Sequence, residues 1–175
     1  MTQRQAFAIW ITGLPASGKS TIVSALKPLL EGLGLTVEVL ESDEVRRVVT
    51  PIPTYSEAER DFFYRSLAFT GQKLVAHGVT VVFDATASRR AYRDFARSVI
   101  PRFIEVSVEC PIATCMERDR KGTYRKGQLG ESLTVPGLQS LYEAPINPDL
   151  RIDSTATPSG DAARRICELV KAKFL

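Results

Sequence analysis

No part of this chain restricts its fold more than the stretch Gly13-Leu14-Pro15-Ala16-Ser17-Gly18-Lys19-Ser20. An apolar run from Ala6 to Thr12 precedes it, and a helical pattern carried by Ile22, Val23, Leu26, Leu29 and Leu30 follows. Strand, glycine-rich turn, then Lys-Ser entering a helix is the context in which this spacing cradles phosphate. Gly13 and Gly18 can take backbone angles that turn a row of N–H groups inward. The helix N-terminus adds partial positive charge where β- and γ-phosphates would lie. Lys19 supplies a full charge, and the Ser20 hydroxyl is placed to ligate Mg²⁺. The pattern implies a site for a nucleoside triphosphate, expected to be ATP with Mg²⁺, held by Gly13 to Ser20 and Thr21.

Apolar runs alternate with helical patterns along the rest of the chain. That predicts an α/β architecture, the P-loop NTPase fold, with a parallel sheet of about five strands and helices on both faces. Further strands are expected at 36–40, 79–84, 102–108 and 150–153. The first helix should run from Lys19 to about Leu30, kinked or frayed by Pro28. Ser56 and Glu59 form a capping box for another helix, with Phe63, Leu67 and Leu74 on one face and Phe62 and Phe69 alongside. A basic helix from Ser88 to Ser98 carries Arg89, Arg90, Arg93 and Arg97 and reads as a solvent face whose apolar remainder is Ala91, Phe95 and Val99. A short helix begins at Pro111, and Thr157-Pro158 opens the closing one. From Asp119 to Leu141 periodicity lapses among Gly122, Gly127, Gly130, Pro136 and Gly137. A loop of that length in a compact domain is usually functional, here a basic lid.

At 175 residues the chain suits one domain, 1–175. Its net charge of +3 fits a small anionic substrate and argues against nucleic acid as a partner. No apolar run reaches membrane-spanning length, and no basic-then-apolar signal stands at the N-terminus. Cys110, Cys115 and Cys167 lack C-x-x-C spacing, and His77 is the single histidine, so no Cys/His metal site is expected. Reduced thiols in a cytoplasm are the expected state. His77 falls at a helix C-terminus, where the reading as a dipole partner is preferred over that as a catalyst.

In open parallel sheets, ligands sit beyond the carboxyl ends of the strands. Asp43 and Asp84 both fall at such ends, beside the phosphate loop. Phosphoryl transfer needs a carboxylate to orient or deprotonate the attacking hydroxyl. Asp43 is the candidate, with helix capping as its bland alternative. Asp84 either holds Mg²⁺ through water or caps the following helix. Arg46 and Arg60 suit bidentate contact with phosphate or sulfate, although helical arginines are most often solvated. Between Arg118 and Lys126 five cations face one acid. The alternatives there are a solvated loop and a lid closing over triphosphate.

These motifs resemble the adenylylsulfate kinase family, whose members use ATP to phosphorylate the 3′-hydroxyl of adenosine 5′-phosphosulfate. The resemblance rests on Phe103-Ile104-Glu105-Val106, the Glu-Arg-Asp core between Cys115 and Gly122, Tyr124-Arg125-Lys126, Gly130-Glu131, and Tyr142-Glu143-Ala144-Pro145 followed by Asn147-Pro148. It implies that Asp43 is the catalytic carboxylate and that Arg46 and Arg60 hold the phosphosulfate. It further implies that Arg118 lies on the ATP side and Lys121 begins the lid. Departures fall on the acceptor side. The family has Asp where this chain has Glu41, Asn where it has Phe63, and Ile-Ser-Pro where it has Thr86-Ala87-Ser88. Its Phe-Thr-Gly, which stacks on the substrate adenine, reads Val135-Pro136-Gly137 here. Tyr55 can form one wall of that sandwich. Loss of the other ring removes stacking worth about 1–3 kcal/mol, by analogy with base stacking.

Two rival readings stand beside this one. One is a related P-loop kinase acting on a different nucleotide or anionic hydroxyl compound. The other is a nucleotide-dependent switch, against which stands the absence of an Asn-Lys-x-Asp guanine-reading motif. No sequence feature sets the oligomeric state, and a homodimer is the assembly to test.

Overall fold

The computed structural model describes residues 6–175; residues 1–5, part of the stretch read above for a targeting signal, lie outside it. Five parallel strands form one sheet: β1 (Ala8–Thr12), β2 (Val37–Glu41), β3 (Thr80–Asp84), β4 (Phe103–Glu109) and β5 (Leu150–Asp153), in the order β2-β3-β1-β4-β5. β1 therefore sits centrally, fully buried along its length, which is why its sequence is continuously apolar rather than alternating. Ile11 and Glu41 are both in register with Asp84, so three strands end flush at the carboxyl edge.

Side chains alternate across the sheet and build two cores. On one face Ile9, Ile11, Ile104 and Val106 pack against α1 (Lys19–Glu31) and α7 (Ser159–Phe174). On the other, Trp10, Phe83 and Phe103 meet α3 (Glu57–Ala76) and α4 (Arg90–Val99). Trp10 stacks on Phe83 with centroids 4.5 Å apart and donates its indole N–H to the Ala85 carbonyl at 3.1 Å. α3 approaches β3 closely only because Gly71 faces Phe83, where a Cβ would lie 2.2 Å from the ring. α1 contains Pro28 and continues past it to Glu31. α2 (Ser42–Val49), α5 (Ile112–Glu117) and α6 (Thr123–Gln128) complete the elements, all at the carboxyl edge.

Four expectations need correcting. The basic helix begins at Arg90, and its inward face is Tyr92, Arg93 and Ala96. Arg93 is 1% exposed, because its guanidinium pairs with Glu105 at 2.7 Å inside the second core. Breaking such a buried pair typically costs 3–5 kcal/mol. Phe62 and Phe69 face solvent. The capping box is half formed: Ser56 accepts from the Glu59 N–H at 3.3 Å, but the Glu59 carboxylate turns to Thr54, Tyr55 and Arg46. Finally, the stretch from Asp119 to Leu141 contains α6, whose first N–H groups donate to the Asp119 carboxylate. That acid within the cationic run is a cap.

Candidate active site

The phosphate loop is built by three backbone exceptions. Gly18 stands at φ +100° as the N-cap of α1, and Ala16 takes φ +58°. At Gly13 a Cβ would come within 2.5 Å of the Val108 carbonyl and 2.8 Å of Ser17 Oγ, so only glycine lets β1 turn there. Lys19 folds back beneath the loop and donates to the carbonyls of Gly13 at 3.0 Å and Leu14 at 2.8 Å. Burial pushes its ammonium below its ordinary titration range, while Asp84, and more weakly Asp43, pull the other way. Ser17 Oγ is buried without a protein partner. Ser20 and Thr21 are exposed at the helix start.

This donor set fits a polyphosphate. A desolvated ammonium, an orphaned buried hydroxyl and free N–H groups at a helix start all favour a bound anion. Among the described residues no cluster of three or more His, Cys, Asp or Glu could hold a metal. A Mg²⁺ ion here would be held by Ser20 and Asp84 together with substrate phosphates and water, the usual arrangement for that ion.

A cavity of about 1690 Å³ opens from the loop. It brings together Lys19, Ser20, Asp43, Asp84, Arg118 and Lys121, and its far side carries Arg46, Tyr55, Arg60 and Thr86. Asp43 is the second residue of α2, with Glu41 in the N-cap position, so it projects from the first turn rather than closing it. Asp84 is 4% exposed and ends β3 beneath it. Lys121 reaches across from the segment before α6, donating to Asp43 at 2.7 Å and to Glu41 at 3.4 Å. The hydrogen bond to Asp43 holds the Lys121 ammonium above its usual range. Arg118 lies against Ser154, with its Nη1 3.4 Å from that hydroxyl.

The far side of the cavity is a network. Arg46 is 7% exposed, donates to Glu59 at 2.8 Å and lies 3.7 Å over the Phe63 ring. Burial works to raise the Glu59 carboxyl, but bonds from Thr54 and Tyr55 and the charge of Arg46 outweigh it and hold it below its ordinary value. Arg60 donates to the carbonyls of Tyr55 at 3.0 Å and Thr134 at 2.8 Å, joining the loop before α3 to the segment after α6. Tyr55, at φ +55°, presents its ring to both guanidiniums. Val135 is 3% exposed and packs with Cys115 and Tyr124, whose hydroxyl donates to the Pro15 carbonyl at 3.1 Å. This small third core clamps the segment 119–141 onto the phosphate loop. Gly137 presses against Leu14, where a Cβ would lie 2.6 Å from Cδ2.

Sequence reading missed Thr12, Arg93 and Tyr142. Thr12 donates to the Thr86 carbonyl at 2.6 Å and lies 3.2 Å from the Tyr142 hydroxyl. Arg93 donates to the Glu143 carbonyl at 2.6 Å and to the Ala87 carbonyl. The run Tyr142-Glu143 is thus a brace for the turn after β3. Its signal was present in the motif itself, but not its use.

Comparison with known proteins matches residues 5–153 to the family model for adenylylsulphate kinase. A probable adenylyl-sulfate kinase of Archaeoglobus fulgidus is 38% identical over 149 residues, covering 85% of this chain and 96% of that protein. A probable adenylyl-sulfate kinase of Synechocystis is 35% identical over 99% of this chain and 98% of its own length. Among solved structures, the Mycobacterium tuberculosis APS kinase CysC in complex with AMPPNP and APS superposes with a TM-score of 0.89 at 30% identity, covering 95% of this chain and 98% of that one.

Proposed function

The chain belongs to the adenylylsulphate kinase family, and from that premise we propose that it transfers the γ-phosphoryl group of ATP to the 3′-hydroxyl of adenosine 5′-phosphosulfate. The observation that carries this reading is the convergence of Lys19, Asp43 and Lys121 on one cavity beside the phosphate loop. Further support comes from the relative in the same fold whose structure contains AMPPNP and APS.

In the proposed reaction, ATP lies along Gly13 to Thr21, with Lys19 on its β- and γ-phosphates and Arg118 toward its nucleoside side. Ser20 and Asp84 would hold Mg²⁺, which would supply positive charge against the triphosphate. Asp43 accepts the proton of the 3′-hydroxyl as the new O–P bond forms, and the bond to the β-phosphate oxygen breaks to release ADP. Lys121, already on the Asp43 carboxylate, supplies positive charge where the transferring group passes. Arg46 and Arg60 hold the phosphosulfate and Tyr55 stacks on the adenine. Residues 1–175 act as one kinase domain. The free thiols Cys110, Cys115 and Cys167 suit a reducing cytoplasm. Assembly as a homodimer is part of this reading, and light scattering at micromolar concentration tests it.

One observation favours a second reading. Val135, where the family stacks a ring, is built into the core beneath the lid, so adenine has one aromatic wall instead of two. A related kinase for another anionic alcohol would show this. Purified chain with ATP and adenylylsulfate should yield ADP and the 3′-phosphorylated product. Background hydrolysis alone, with turnover on another acceptor, overturns the first reading in favour of the second.

A further inference from the structure

We propose that Arg93 is a positioning residue for the phosphoryl acceptor, acting by holding Ala87 in a left-handed conformation; the inference rests on the kinase reading above. Ala87 is fully buried at φ +42°, a region that places an L-residue's Cβ against its own carbonyl. Such a conformation persists only where its surroundings over-determine it. Here they do. The Ala87 N–H donates to the Tyr64 hydroxyl at 3.2 Å, and its carbonyl accepts from Arg93.

The same treatment extends along the turn. The carbonyl of Ala85 accepts from Trp10, that of Thr86 from Thr12, that of Ser88 from the Glu143 N–H and that of Arg89 from Arg93. Five successive carbonyls, 85 to 89, are therefore each held by a donor. Glu105 alone would neutralise Arg93. The remaining guanidinium donors instead go to the turn and to Glu143, which itself holds the Arg90 N–H at 2.8 Å. Thr86, one residue before the strained position, lines the cavity with Asp43, Arg46, Tyr55 and Arg60. Rotation at Ala87 would move that wall, whereas Lys19 keeps its own bonds to the Gly13 and Leu14 carbonyls.

The test is Arg93→Lys, which keeps a cation opposite Glu105 but loses the planar fork. The KM for adenylylsulfate should rise about fivefold to tenfold, with kcat and the KM for ATP held within about twofold. Adding Ala87→Gly, which takes positive φ without penalty, should return the acceptor KM toward the wild-type value. Equal rises in both KM values, or no rescue by glycine, would overturn the proposal. Where Arg93→Lys does not fold, Tyr64→Phe removes the other hold on Ala87 and should give the same split and the same rescue. Amide exchange at Ala87 and Ser88 reads the turn without any acceptor. Arg93→Lys should accelerate it and the added glycine should slow it again, and unchanged exchange in Arg93→Lys overturns the proposal. A wild-type chain that leaves adenylylsulfate untouched sinks the functional reading alone, since the exchange result still stands or falls separately.

Discussion

The Lys121 ammonium lies 2.7 Å from the Asp43 carboxylate, joining residues 78 positions apart. Both side chains are more than half exposed, at 66% and 57%, so the pair adds little to folding. Its consequence is positional. It ties the segment that begins the lid to the first turn of α2, and it sets a cation and a carboxylate side by side within the cavity that holds Lys19. A phosphoryl transfer needs both charges at that place, one for the departing proton and one for the moving phosphorus.

Asp43→Asn separates these roles. The amide preserves size but cannot take a proton at neutral pH. We expect kcat to fall by about 10²- to 10⁴-fold while calorimetric affinity for MgATP stays within about twofold. A near-wild-type rate would remove Asp43 from catalysis.

Lys19 has a different signature, because its ammonium is buried against two carbonyls. Lys19→Met keeps the stem and discards a desolvated charge, so the melting temperature without nucleotide should hold or rise. Saturating MgATP should raise the wild-type melting temperature by several degrees and leave the variant unmoved. Because burial depresses its titration, the wild-type affinity for ATP should also weaken at alkaline pH before an exposed lysine would lose its proton. Equal nucleotide-induced shifts in both proteins would exclude the proposed grip.

What the sequence disclosed follows from range. The phosphate loop, Asp43 after β2 and the buried runs of β1 and β3 are written in neighbours a few positions apart, where propensity and periodicity act. Arg93 is not. Among Arg89, Arg90 and Arg97 it reads as one more solvated charge, and only Glu105 on β4 and the Glu143 carbonyl reveal that it points inward. α6 was hidden for a related reason. Its six residues include Gly127 and are entered through Gly122, both helix-weakening, and its N-terminus is satisfied by Asp119 outside it. Arg46 and Arg60 were singled out by type and line the cavity, but their tethers to Glu59 and Thr134 depend on how α3 meets the segment after α6.

Val135 illustrates the same limit and makes a prediction. Restoring the family's phenylalanine by Val135→Phe should not simply rebuild an aromatic wall. The side chain is packed against Cys115 and Tyr124, and a ring must either overfill that core or push the lid outward. We expect destabilisation of about 1–3 kcal/mol by urea unfolding, with lid amides exchanging faster. Unchanged stability with a lower KM for adenylylsulfate would mean that the ring turns into the cavity.

Asp149 tests the electrostatics that anchor β4 and β5. Burial works to raise its carboxyl, but Lys173, the Glu105 N–H and Arg97 outweigh burial and hold it below the usual carboxylate range. The folded chain therefore binds fewer protons at this site than the unfolded chain does, and stability rises with pH through that window. The contribution is complete above about pH 5 and is lost as pH falls through the ordinary carboxylate range toward the folded value. Asp149→Asn should cost about 2 kcal/mol at neutral pH, since charge-assisted bonds from Arg97 and the Glu105 N–H, each 2.8–2.9 Å long, lose their anion. Urea titrations of both proteins at neutral pH and at about pH 3 should show the gap narrowing in acid. A gap that stays constant would trace the loss to amide geometry and not to the carboxylate charge.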